Sequence, residues 1–347
     1  MSKTREELKS LLDSFEEATQ FWINSLSDIS TFSEIKAAKV SDPINELNKL
    51  VKLIKAHTTK VGIIFKPENL RKEVNPAFNT LSKLSETLVL TVSVIVQIDS
   101  AKISKLFYNE IVEQLKQLLE SNNRFAKELK LIFEDDEDVS EQSESKKNEM
   151  DGRLVSVGRV WSICDSLVQL LTEGNLALLT NKIKQSISLL EDGFEEFAEW
   201  TENPEEMNDD PFGFSDEEDF TDDEEEATPP VMNGHKVTED DKELIKYAKK
   251  WLKKIELVKL LIASFKKSLP KSTPGDSIDE IYTIQNHLVS LIDKFIVELM
   301  LERRIDDNEY TDSITKESIQ LSKIARNLHN DKKTKWYETW ETKYNSL

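Results

Sequence analysis

Apolar residues recur every three or four positions along nearly the whole chain, the spacing that gathers them on one side of an α-helix. The first stripe, over about 4–30, is Leu8, Leu11, Leu12, Phe15, Ala18, Trp22, Leu26 and Ile29. A second opens at Ser41-Asp42-Pro43, where proline suits the first helical position, and continues through Ile44, Leu47, Leu50, Val51, Ile54, Val61 and Ile64. Pro67 and Pro76 bracket a connection. A third stripe follows in Phe78, Leu81, Leu84, Leu88, Val92, Ile95 and Val96, and a fourth over 101–133 in Ile103, Leu106, Phe107, Ile111, Leu115, Leu118, Leu119, Phe125, Leu129 and Ile132. Four such helices predict an antiparallel bundle over 1–135.

An acidic, serine-rich loop is expected over 136–151. A fifth helix then carries Leu154, Val157, Val160, Trp161, Cys164, Leu167, Leu170 and Leu171, with Gly174 placed to end it. A sixth holds Leu178, Leu179, Ile183, Ile187, Leu190, Phe194, Phe197 and Trp200. These two predict a hairpin over 152–200 that contributes to a second bundle. The remaining stripes lie in 237–347. One starts behind a Thr238 cap and runs from Ile245 to Leu269. Another runs from Ile278 to Met300. A polar loop, 304–312, precedes a ninth stripe from Ile314 to Leu328. A short tenth gathers Trp336, Tyr337, Trp340 and Tyr344. Its neighbouring Lys332, Lys333 and Lys335 resemble membrane-interface or single-strand-binding patterns, but a closing helix packed on its own bundle is the expectation.

Between the bundles the periodicity stops. Of the twenty-five residues from 202 to 226, fourteen are Asp or Glu and none is Lys or Arg. Such a stretch has too little apolar surface to offset the entropy of ordering it, so 201–236 is expected to be a disordered acidic linker. The fold class expected is therefore all-α, two antiparallel helical bundles joined through that linker.

Residues 202–226 alone carry −14 of the formal net charge of −20 and leave −6 elsewhere. That sign disfavours direct nucleic-acid binding, which rests on Lys and Arg, and favours basic surfaces on partners. One cysteine, Cys164, excludes an intrachain disulfide and a thiolate metal cluster. The polar start of the chain lacks the apolar core of a signal peptide, and the run 88–98 is too short to span a bilayer. Cytoplasm and nucleus are the expected location. Only eight glycines occur, fewer than sheets and phosphate loops consume.

Catalytic chemistry is hard to place. His57, His235, His287 and His329 pair with no other ligand at zinc spacing, and no nucleophile elbow or phosphate loop is present. No enzyme, cofactor or metal is expected. Cys164, on an apolar stripe, reads as a buried inert thiol. Two linker features stand higher. Ser215 and Thr221 are each followed by three acids, the pattern an acidophilic kinase accepts, which mass spectrometry of the native protein would test. Asp209, Asp210, Pro211, Phe212 and Phe214 form a candidate linear motif; retention of every partner after deletion of 202–226 would remove that reading.

Three strings taken in order carry a family resemblance: Val157-Gly158-Arg159-Val160-Trp161-Ser162-Ile163-Cys164-Asp165, Asp209-Asp210-Pro211-Phe212-Gly213, and Thr238-Glu239-Asp240-Asp241-Lys242-Glu243-Leu244-Ile245. The chain resembles the cyclin-D-binding protein family, also called the Grap-and-cyclin-D-interacting or Maid-homologue family. The acidic loop and the aromatic C-terminal helix depart from the family pattern, as in a distant member. The resemblance implies a vinculin- or catenin-like pair of bundles. It further implies a non-enzymatic negative regulator of cell-cycle progression or transcription, acting by sequestering cyclin-like or helix-loop-helix partners. It marks Gly158, Arg159, Val160, Trp161, Cys164 and Asp165 as family-like structural residues. The competing expectation is a cytoskeletal or trafficking adaptor of vinculin-like architecture.

Overall fold

The computed structural model describes residues 3–27, 39–135, 152–202, 239–303, 305, 308–329 and 332–347. Among them the ordered elements are all helices: α1 (Arg5–Ser27), α2 (Pro43–Ile64), α3 (Pro67–Leu70), α4 (Asn75–Ile95), α5 (Ser100–Ile103), α6 (Lys105–Asp135), α7 (Gly152–Glu202), α8 (Glu239–Ser268), α9 (Gly275–Glu302), α10 (Asn308–Asn327) and α11 (Lys332–Asn345). The fold is all-α. The expected linker lies outside the described residues except at Thr201 and Glu202, which end α7. The loop 136–151 and the Thr238 cap also lie outside them.

The chain divides into two compact units. Unit 1 is Met1–Leu178 with Pro274–Asp276, and unit 2 is Leu179–Thr273 with Ser277–Leu347. The core of unit 1 is built from the sequence stripes: Leu8, Leu12 and Phe15 of α1, Leu47, Val51 and Ile54 of α2, Leu81, Leu84 and Leu88 of α4, and Ile111, Leu115 and Leu118 of α6. Each such side chain taken out of water stabilises the fold by roughly 1.5–3 kcal/mol. Polar contacts set the register of α1 on α6. Asn123 Nδ2 donates to Glu16 O and to Thr19 Oγ1, both at 3.0 Å. Lys130 Nζ bridges Asp13 at 2.7 Å and Glu16 at 2.8 Å, and those two carboxylates push its pKa up.

Local chemistry explains the element ends. The Asp42 carboxylate accepts the Asn45 amide at 3.1 Å and caps α2, with Pro43 behind it. The fourth stripe, expected as one helix, is broken at Ser104, whose φ is 88°. Ser104 Oγ accepts the Phe107 amide at 3.1 Å and starts α6 afresh. The connection between the two prolines contains the single turn α3. The expected polar loop 304–312 is shorter than foreseen, because α10 already begins at Asn308.

The pairing of 152–200 differs from expectation. Gly174, at φ 80° and ψ −175°, breaks α7 in a region open essentially to glycine alone. Before the break, Val157, Val160, Cys164, Leu167, Leu170 and Leu171 join the core of unit 1. Among the described residues that bundle therefore has five long helices rather than four. Residues from Leu179 onward belong to unit 2. The expected hairpin is thus divided, because each half finds its apolar partner in a different core. α7 is also the one helix among the described residues long and apolar enough to cross a membrane by length and composition alone.

Unit 2 is likewise antiparallel. Glu191 and Glu202 of α7 meet Lys259 and Lys249 of α8 at 3.8 and 3.1 Å. His287 and Glu280 of α9 meet Glu317 and Gln320 of α10 at 2.5 and 3.2 Å. α11 closes this bundle with buried Tyr337, Trp340 and Tyr344. Trp340 Nε1 donates to Leu257 O at 2.8 Å, and the Tyr337 hydroxyl donates to Ser268 Oγ at 2.8 Å. The aromatic tail is thus bound to its own bundle, with Trp336 partly exposed.

Candidate functional site

α2 and the first half of α7 run antiparallel, and a ladder of contacts joins them. Asn48 Nδ2 donates to Thr172 Oγ1 at 3.2 Å. Lys55 Nζ lies 2.6 and 2.7 Å from the Asp165 carboxylate oxygens. Trp161 Nε1 donates to Thr59 Oγ1 at 3.0 Å, and Lys55 Nζ stands 5.7 Å from the centre of the Trp161 ring. Gly62 faces Val157 so closely that a Cβ there would meet Val157 Cγ2 at 2.6 Å. Arg153 Nη1 donates to Phe65 O at 3.0 Å. Five successive rungs hold one helix pair in register.

Four of the six family-like residues have a place in this seam or beneath it. Val160 and Cys164 are buried in the core of unit 1. Burial pushes the Cys164 thiol up to about 12, with the Asp165 charge adding to the shift and Lys55 opposing it. A thiol held that far above neutrality is an inert apolar group. Trp161 and Asp165 are rungs of the ladder. Arg159 is exposed, and its charge acts on Glu128 of α6. The Glu128 carboxyl is raised by burial, while the Ser156 hydroxyl, donating to Oε1 at 2.7 Å, and Arg159 pull it back down.

Gly158 is the residue that packing does not explain. It sits mid-helix and exposed, and a Cβ there would meet nothing within 4 Å. Glycine in a helix interior costs about 1 kcal/mol against alanine. Around it on the outer side of α7 stand Leu154, Val155 and Trp161, 52, 63 and 38% exposed. Positions 154, 158, 161 and 165 follow one another at helical spacing, so this is one continuous face. It presents apolar side chains around a notch where another backbone can come close.

Ser215, Thr221 and the motif Asp209, Asp210, Pro211, Phe212 and Phe214 lie outside the described residues. No group of three His, Cys, Asp or Glu converges as metal ligands among the described residues. The seam partners Lys55, Thr59 and Gly62 were not singled out by periodicity. Gly62 had a signal, a glycine beside Val61 within a helical stripe.

Residues 46–203 match the family model described as Grap2 and cyclin-D-interacting, N-terminal. This stretch belongs to the cyclin-D-binding-like family. The match begins in α2 and ends just past α7, so both sides of the ladder belong to the cyclin-D-binding-like region. Similarity continues beyond it. An uncharacterized protein of Saccharomyces cerevisiae is 29% identical over 358 residues, covering 98% of this chain and 96% of that protein. An uncharacterized protein of Schizosaccharomyces pombe is 24% identical over 309 residues, covering 88% and 85%. The string from Val157 to Asp165 falls inside the cyclin-D-binding-like region, whereas the Asp209 and Thr238 strings fall after it.

Proposed function

We propose that the protein is a non-enzymatic regulator of the cytoplasm and nucleus that binds and sequesters partner proteins, restraining cell-cycle progression or transcription. The observation that carries this reading is the match of residues 46–203 to a family described as cyclin-D-interacting. The α7 face around Gly158 is the surface assigned to the partner. Its occupant is an amphipathic helix of a cyclin-like or helix-loop-helix regulator, laid against Leu154, Val155 and Trp161 with its backbone close to Gly158. Trp161, tied at its indole nitrogen, is a pre-ordered apolar anchor of the sort that dominates binding energy.

Gly158→Gln tests this, because stability and binding are expected to move in opposite directions. The helix gains up to about 1 kcal/mol, so the melting temperature rises. Capture of cyclin-like or transcriptional partners by the full chain falls. Capture of the same partners in equal yield would overturn the assignment of the face. A wild-type chain that captures none of them would overturn the regulator itself, as would cortical or vesicular signal with none in the nucleus.

A further inference from the structure

α8 carries lysines at 242, 246, 249, 250 and 253, spaced by threes and fours. All five are exposed, and with Ile245, Ser346 and Leu347 they line a groove of ≈ 610 Å³ in unit 2. No acidic residue occurs between Lys246 and Ile255. In a chain of net charge −20 this is a local reversal of sign. Lys246 and Lys250, and Lys249 and Lys253, stand one turn apart as like charges, which works against the helix. The bundle does not need them there, because Leu244, Ala248, Trp251 and Ile255 fill the core from the other side of α8. Lys249 Nζ holds the Glu202 carboxylate at 3.1 Å. Lys246, Lys250 and Lys253 make no ion pair among the described residues.

We propose that this lysine face is a docking site for an acidic segment of a partner protein. Its carboxylates would pair with Lys246, Lys250 and Lys253, and one apolar side chain would rest on Ile245. The Glu202 contact shows the geometry, since the row already receives a carboxylate at hydrogen-bond distance. Size favours a peptide over other polyanions. From Lys242 to Lys253 the row is about 16 Å long at 1.5 Å per residue. A short acidic segment stays over it and feels little beyond the screening length of about 8 Å. A nucleic acid or an anionic membrane extends past the row and meets the charge of the rest of the chain. This inference does not rest on the α7 face, which belongs to unit 1.

The acids between 202 and 226 of the same chain have the same chemistry as the proposed occupant, so the experiment accounts for them. Two full-length parents are used: the wild type, and a chain in which those acids are replaced by Asn and Gln. Each is titrated with a fluorescein-labelled Glu/Asp-rich peptide carrying a central Leu, about twelve residues long to cover three helical turns. The expected result is saturable binding by at least one parent that weakens with salt. Combining Lys246→Glu, Lys250→Glu and Lys253→Glu in that parent should lower affinity about tenfold or more with the melting curve unchanged. The milder Lys→Gln triple should fall between. Equal binding by parent and charge-reversed chain would overturn the proposal, as would no binding by either parent. Tighter lysine-dependent binding of a single-stranded oligonucleotide or of phosphatidylserine vesicles would overturn it as well.

Discussion

Glu128 buries one carboxylate oxygen, Oε2, without a hydrogen-bond partner, while Oε1 accepts from Ser156. A buried acceptor left unpaired costs more than a satisfied one contributes. Burial raises this carboxyl, so the folded protein holds the proton more tightly than the unfolded chain does. The stability it contributes is therefore full below the ordinary carboxylate value of 4.5 and is lost as pH rises through the folded value. Glu128→Gln, which cannot ionise, should melt higher than the parent at neutral pH, and the gap should close below 4.5. Thermal melts across that range check it; a variant melting lower at neutral pH would mean that Ser156 and Arg159 outweigh burial. The contrast with Gly158 is instructive. There the residue type costs helix stability and nothing inside the unit repays it, which is why the same position serves as a probe of binding. Neither fact could be read from periodicity. Glu128 falls outside the fourth stripe, and Gly158 differs from its neighbours only once the surrounding space is known.

At the scale of elements, close packing of α2 on α7 depends on Gly62. Gly62→Ala would ordinarily gain about 1 kcal/mol of helix propensity. Here the added methyl would stand 2.6 Å from the branched, stiff Val157. Overpacking of this kind costs roughly 1–3 kcal/mol, so the net expectation is a loss of about 1 kcal/mol. Val157→Ala, which empties part of the core, should cost less in the Gly62→Ala background than in the wild type, and urea unfolding of the double-mutant cycle measures that coupling. Helix identities and stripes were legible because burial imposes a period on the sequence, as in Leu8, Leu12 and Phe15 or Leu81, Leu84 and Leu88. Partner choice was not. The pattern passes from Leu171 to Leu178 and Leu179 without changing character, so nothing local says that the two halves of α7 enter different cores. The lysine row of α8 was hidden for a related reason. Lysines at exposed helical positions look alike until a groove is found beside them.

The whole molecule has two cores, and α7 is committed to both. Leu178 ends unit 1 and Leu179 opens unit 2, yet the family match runs unbroken to residue 203. The limits of kinship are therefore not the limits of a folding unit. A protein cut to 46–203 would lose Leu8, Leu12 and Phe15 from the first core. It would also keep Leu179, Ile183, Leu190, Phe197 and Trp200 with none of the helices that bury them. Such a fragment should scatter light and elute as large aggregates on size exclusion, whereas the full chain should not; a monodisperse fragment would refute this. Evolution is constrained in the same way: a gene boundary at residue 203 would carry the second half of α7 away from the helices of unit 2, so neither bundle can be shuffled at the limit of the family match.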